Sequence, residues 1–187
     1  LADGEINPYP DELLAALSAA GVNGVWLHVV LRDLAPSDAF PEFGQSHDVR
    51  LRNLNRLVQQ TRKYGIKIYL YMNEPRAMPL SFFEGREDIQ GFRKRDHAAL
   101  CSSTKKVQHW LGNALRYVFE EVPDLGGVFT ITGSENLTNC YSHSRDAAGC
   151  PRCSRRSGPE VIAEVNRIIA EGVWAGNPDA AVIVWDW

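Results

Sequence analysis

Apolar residues along the chain fall into two alternating patterns, which predict four helix–strand pairs. Stripes at helical spacing predict helices that begin near Pro10, Leu51, Thr104 and Ser157. The strands are predicted from short apolar runs over residues 24–31, 66–72, 128–131 and 181–187. Such runs are typical of strands covered on both faces of a parallel sheet. The chain therefore has the element order of an α/β protein.

Connection lengths refine this prediction. Each helix joins the next strand through a short turn with Gly or Asn-Pro, whereas the loops over residues 32–50, 76–102 and 136–157 are long. This asymmetry is typical of a (β/α)8 barrel, in which the long loops carry function. A doubly wound sheet fits the same alternation, but neither G-x-G-x-x-G nor a P-loop motif follows any strand, which argues against nucleotide binding.

We predict an α/β fold: a partial (β/α)8 TIM-type barrel of about four βα units. We treat residues 1–187 as a single barrel-like catalytic domain. The chain begins without Met and stops on a strand, so we expect a fragment truncated at one or both ends. Half a barrel has two open edges, and we expect a missing barrel segment or a second copy of the chain to cover them.

Composition and net charge indicate which classes of binding partner to expect. Hydrophobic residues make up 44% and charged residues 23% of the 187 residues, as in ordinary globular domains. A formal net charge of −3 gives no basic footprint for nucleic acid. No apolar run approaches the roughly 20 residues of a membrane span. We therefore expect neither nucleic acid nor membrane as a partner, and the compartment stays open.

Ser134, Glu135 and Asn136 follow the central predicted strand directly. Ligands of α/β proteins bind at the carboxyl ends of the strands, so these three residues are candidates for chemistry. Cleavage of a glycosidic bond needs a carboxyl group that stays protonated near neutral pH, and the apolar residues before Glu135 favour that form. The alternative is a carboxylate that caps the turn or pairs with an arginine.

Two further carboxylates end predicted strands. Glu74 lies in Asn73-Glu74-Pro75, with a capping or ion-paired residue as the alternative. Asp186 lies between Trp185 and Trp187, and such aromatic rings suit either the apolar face of a sugar or a protein core.

Arg32 and Asp33 follow the first predicted strand and would bind sugar hydroxyls, or else form a solvated ion pair. His28, inside that strand, is interpreted as a core or barrel-lining residue.

The chain resembles the second to fifth strands of a glycoside hydrolase barrel, and in particular family 20 hexosaminidases and their uncharacterised relatives. The resemblance rests on the segments GVNGVWLHVVLRDLAP, KYGIKIYLYMNEPRAMP, ALCSSTKKVQHWLGNALRYVFEEVPDLGGVFTITGSEN and AAVIVWDW. It implies that Glu135 is the general acid. Ser134 stands where family 20 has the Asp that orients the substrate acetamide. Asn73-Glu74-Pro75 is also similar to the acid/base motif of the large retaining-glycosidase clan.

A second group of candidate site residues consists of three cysteines and one histidine. Cys140-x-x-His143 and Cys150-x-x-Cys153 have the spacing of two chelating pairs, which predicts a structural Zn²⁺ site with no open coordination position. A disulfide, with or without Cys101, and free thiols are the alternatives. No cofactor is expected for catalysis.

These features together predict a glycoside hydrolase-like domain with carboxylate acid/base chemistry and a carbohydrate substrate. Glu135 is the predicted acid, and Glu74 or Asp186 is the supporting carboxylate. Asn73, Ser134, Asn136, Trp185 and Trp187 join Arg32 and Asp33 as predicted substrate contacts. The alternatives are a non-catalytic carbohydrate-binding or scaffold barrel and a zinc-stapled interaction domain.

Overall fold

A computed structural model describes residues 7–133 and 136–185. Its helices and strands, in chain order, are α1 (Asp11–Ala19), β1 (Gly24–His28), α2 (His47–Arg62), β2 (Lys67–Met72), β3 (Met78–Pro79), β4 (Gln90–Lys94), β5 (His97–Leu100), α3 (Lys105–Glu121), β6 (Gly127–Ile131), α4 (Gly158–Gly176) and β7 (Ala181–Trp185). No helix in the described part of the chain is long and apolar enough to cross a membrane.

Four strands form one parallel sheet in the order β1-β2-β6-β7. The four predicted helix–strand pairs are present, so the α/β prediction is confirmed. Gly127 at the start of β6 has φ of +146°, and a Cβ there would lie 1.9 Å from the carbonyl oxygen of Ala181. Glycine is therefore required where β6 meets β7.

Helices α2, α3 and α4 pack with the sheet around the main core. Each contributes an apolar stripe, and the stripes include Leu54 of α2, Leu111 of α3 and Ile169 of α4, all fully buried. They meet the alternate residues Ile68 and Leu70 of β2. Helix α4 begins with the predicted capping box, in which Ser157 and Glu160 bond each other's backbone N–H.

The opposite face of the sheet is open in the described structure. Trp26 and Trp185 are 58% and 46% exposed, which corrects the expectation that the strands are covered on both faces. The rings of Trp26, Tyr71, Phe129 and Trp185 form a row, with adjacent centroids 4.9, 5.7 and 5.3 Å apart. These aromatic residues lengthened the apolar runs from which the strands were predicted. In the fold they lie on the face of the sheet opposite the helices.

A small antiparallel sheet, β3-β5-β4, lies within residues 76–102, which were predicted as a loop. Its strands are two to five residues long, and Pro79 lies within β3. Strands this short give little periodicity, so the sequence pattern did not reveal them. The sheet brings the β4–β5 turn beside the loop that follows β6, with Lys94 Nζ 3.0 Å from His143 Nδ1.

Candidate functional site

The loops after β1 and β2 are joined at the carboxyl edge of the sheet by Glu74. Its Oε1 accepts the backbone N–H of Leu31 and its Oε2 accepts the backbone N–H of Arg76, both at 2.8 Å. The residue is 1% exposed. Because both oxygens are bonded and enclosed, Glu74 holds two loops together in this conformation. This geometry matches the capping alternative for Glu74.

Burial raises the pKa of Glu74 above its usual value. The two backbone N–H donors act in the opposite direction, as do the positive charges of Arg76 and Arg32, but desolvation is the largest effect. The carboxyl group is therefore held closer to its protonated form than an exposed glutamate.

Asn73 lies beside Glu74 and is 2% exposed. Its Oδ1 is buried and accepts no hydrogen bond among the described residues. An orphaned buried acceptor costs about 1–3 kcal/mol, so a ligand or water that donates to it would be stabilised. The role of Asn73 in binding stays a prediction.

Arg32 and Asp33, which follow β1, have different surroundings. The Arg32 guanidinium donates to the sulfur of Met78 at 3.0 Å, while Asp33 is exposed and its carbonyl oxygen receives Arg50. The alternative of a local Arg32–Asp33 ion pair is not seen in the described residues. Arg32 lines the pocket described next, and Asp33 is not part of its lining.

A pocket of about 420 Å³ opens at this edge, and we call it the basic pocket. Its lining comprises Arg32, Arg76, Ala77, Lys94, Arg95, Asp96, His97, Asn136, Leu137 and His143. Arg32, Arg76 and Asn136 come from the loops after β1, β2 and β6, so three parallel strands converge on it. The structure thus brings the predicted contacts Arg32 and Asn136 together.

His28 lies on the open face of the sheet, with its Nε2 3.4 Å from an Arg76 guanidinium nitrogen. Partial burial lowers the pKa of His28, and the positive charge of Arg76 lowers it further. The imidazole is therefore held closer to its neutral form than an exposed histidine. Its position agrees with the interpretation of His28 as a lining residue.

Four predicted site residues lie outside the described residues: Ser134, Glu135, Asp186 and Trp187. Trp185, at the end of β7, is described and contributes to the aromatic row. A shallow pocket of about 470 Å³ lies over that row.

The cysteine cluster differs from its prediction in one member. Cys101, Cys140, Cys150 and Cys153 are buried, and their sulfurs all lie within 4.8 Å of one another. His143, the predicted fourth ligand, lies instead at the basic pocket, 3.0 Å from Lys94 Nζ. Cys101 immediately follows β5, and the small sheet carries it to the cluster, which local Cys-x-x-His spacing could not show.

Sequence reasoning also missed Lys94 and Arg95, since they lie in a stretch predicted to be a long loop. Lys94 ends β4, and Arg95 begins the short turn to β5 with a left-handed φ of 58°. The available signal was the charge run Arg93-Lys94-Arg95-Asp96, which a hairpin turn presents to solvent.

Comparisons with known proteins test the prediction of the fold. No protein-family model matches the chain, and no curated protein matches it. Solved structures do match. An α-amylase from Geobacillus thermoleovorans superposes with a TM-score of 0.58 at 15% identity, covering 99% of this chain and 42% of that one. The chain therefore has the fold of a segment of a TIM-type barrel, as these structures do.

Two further matches belong to other glycoside hydrolase families. A GH138 enzyme that targets pectin rhamnogalacturonan II has a TM-score of 0.57 at 15% identity over 90% of this chain and 18% of that one. The GH36 α-galactosidase AgaA from Geobacillus stearothermophilus has a TM-score of 0.54 at 15% identity. The match covers 90% of this chain and 24% of that one. This chain spans less than half of each structure. The more specific resemblance to family 20 stays a prediction.

Proposed function

We propose that the chain is the part of a glycoside hydrolase domain that binds carbohydrate at the carboxyl edge of the sheet and supplies the general acid. The observation that carries this proposal is the convergence of Arg32, Arg76 and Asn136 on one pocket from three neighbouring strand ends. The buried, unsatisfied Oδ1 of Asn73 lies in the same set of loops. The barrel-type neighbours support the reaction class by fold.

In this proposal Glu135 protonates the leaving oxygen. It is motivated by its sequence position, between Gly133 past the end of β6 and Asn136 in the pocket lining. Asp186 is the second carboxylate. Glu74 has a supporting role. It holds the loops after β1 and β2 in place, because both of its oxygens already accept backbone N–H groups. Ser134, Trp185 and Trp187 remain proposed contacts to the sugar.

Hydrolysis of a panel of aryl glycosides by the full-length gene product tests the proposal. Glu135→Gln should lower the rate by about 10²–10⁴, and less when the leaving phenol is more acidic, since such a phenol needs no proton. Asp186→Asn should also lower it, whereas the exposed Glu84→Gln is the matched control. Turnover indifferent to Glu135→Gln, or no turnover on any glycoside, would overturn the catalytic proposal.

A second candidate is a non-catalytic carbohydrate-binding barrel. Ser134 at the position of the family 20 Asp and the enclosure of Glu74 favour it. A protein that binds sugars at the basic pocket but hydrolyses none of the panel would establish this candidate in place of the first.

A further inference from the structure

The cluster joins Cys101 to three cysteines that lie far from it in sequence. Cys101 follows β5, Cys140 and Cys150 lie in the loop after β6, and Cys153 begins a short 3₁₀ turn, Cys153–Arg155. The sulfur of Cys101 lies 3.6 Å from those of Cys150 and Cys153. No disulfide joins these four residues.

These distances fit a metal and exclude a disulfide. A disulfide requires sulfurs about 2.05 Å apart. Four sulfurs at about 2.3 Å from a tetrahedral Zn²⁺ lie about 3.8 Å from one another. The observed 3.6 Å separations are close to that edge length. Convergence of four thiols from two separate loops is also more than the packing of a small apolar cluster requires.

Hydrogen-bond donors surround the sulfurs. Arg152 Nε lies 3.2 Å from Cys101 Sγ, and the backbone N–H of Phe92 donates to Cys140 Sγ at 3.4 Å. The backbone N–H of Cys153 points to Cys150 Sγ at 3.5 Å. Four thiolates around one Zn²⁺ leave a net negative charge, which such donors stabilise.

We propose that Cys101, Cys140, Cys150 and Cys153 bind one structural Zn²⁺. The site is closed, because four protein ligands complete a tetrahedron, so the metal takes no part in chemistry. It fastens the loop after β6, which carries Asn136 and His143 of the basic pocket, to the small β3-β5-β4 sheet. The proposal does not depend on the glycosidase function.

The test is metal content and Co²⁺ spectroscopy of the full-length protein. We expect one zinc per chain, retained in His143→Ala and lost in Cys101→Ser. Because Cys101→Ser can fail to fold, Co²⁺ substitution of the wild-type protein gives a second readout: its spectrum should be that of four thiolates rather than three thiolates and an imidazole. Zinc-free folded protein unaffected by added Zn²⁺, a disulfide found by mass spectrometry, or loss of zinc in His143→Ala would overturn the proposal.

The charges of the basic pocket carry a second, independent inference. Arg32, Arg76, Lys94 and Arg95 line it, and in the described residues none of their charged side-chain nitrogens lies within 4.0 Å of a carboxylate oxygen. The lining acid, Asp96, hydrogen-bonds His97 at 2.9 Å. The buried Nε of Arg76 also lacks an acceptor in the described part of the chain.

Several like charges around one cavity repel each other, and an anionic ligand would relieve that repulsion. Arginine pairs with a carboxylate through two parallel N–H···O bonds, which fixes orientation as well as charge. We infer that the basic pocket binds a saccharide that bears a carboxylate, a uronic acid. This inference rests on the proposed function in so far as the pocket receives carbohydrate.

Calorimetric titration with galacturonate and glucuronate, beside galactose and glucose, tests it without turnover. We expect the uronates to bind at least about ten-fold more tightly than the neutral sugars, about 1.4 kcal/mol, and the preference to weaken with salt. Arg32→Gln should remove that preference, and Arg52→Gln on the exposed surface of α2 should retain it.

Equal affinity for neutral and acidic sugars, or preference for sulfated over carboxylated ones, would overturn the uronate inference. Uronate binding without hydrolysis of any glycoside would leave this inference intact and overturn the catalytic proposal, so the two failures are distinguishable.

Discussion

Glu74 accepts the backbone N–H of Leu31 at 2.8 Å, across 43 positions of sequence. The same carboxyl group accepts the N–H of Arg76. One buried side chain thereby fixes the spacing of the loops after β1 and β2, which carry Arg32 and Arg76 into the basic pocket. The position of these cations depends on a residue that does not itself need to reach a substrate.

Glu74→Gln should destabilise the protein. A glutamine side chain has one acceptor oxygen and one NH₂ group, so one of the two backbone N–H donors would face another donor. An unsatisfied buried donor costs about 1–3 kcal/mol of unfolding free energy. Urea denaturation measures it, with the exposed Glu84→Gln as control. Equal stability of both variants would contradict this account.

The contribution of Glu74 should fall as pH rises. Burial raises its pKa in the folded state above the ordinary value of 4.5, so the folded state binds the proton more tightly than the unfolded state. The stabilisation is complete below about pH 4.5 and is lost as pH rises through the folded pKa. The stability difference between wild type and Glu74→Gln should therefore be largest at the acidic end of a denaturation series. A difference that grows toward neutral pH would show that the two N–H donors outweigh burial.

Arg76→Met should raise the pKa of His28. Partial burial and then the charge of Arg76 lower that pKa, and the substitution removes the second cause. An NMR titration of the His28 ring protons measures the shift, and Arg52→Met, remote from His28, is the control. An unchanged midpoint in Arg76→Met would mean that Arg76 does not act on this imidazole.

Gly127→Ala should strongly destabilise the sheet, because its Cβ would overlap the Ala181 carbonyl at 1.9 Å. Strand β6 would have to move from β7, and we expect a loss above about 2 kcal/mol. Gly112→Ala on helix α3 is the contrasting variant. Its Cβ meets only Ile168 at 3.9 Å, and it should stabilise by about 0.5–1 kcal/mol. Thermal unfolding of both variants checks the pair.

Periodicity and turn residues by themselves determined the four helix–strand pairs and the position of the long loops. The stripe on α3 and the capping box of Ser157 and Glu160 are local signals, which depend only on neighbours three or four positions away. The polar residues after each strand likewise identified Asn73, Glu74 and Arg32 as residues at one edge, because parallel strands share that edge.

Tertiary structure decided which side chains, distant in sequence, lie next to each other. Cys101 lies 39 positions before Cys140, and only the path of the small sheet brings it to the cluster in place of His143. Lys94 and His143 meet at the basic pocket for the same reason. Which face of a strand is covered also depends on distant elements, so strands that were predicted to be covered on both faces carry an aromatic row that is open in the described fold. Local pattern sets the elements, whereas long-range packing sets which side chains meet.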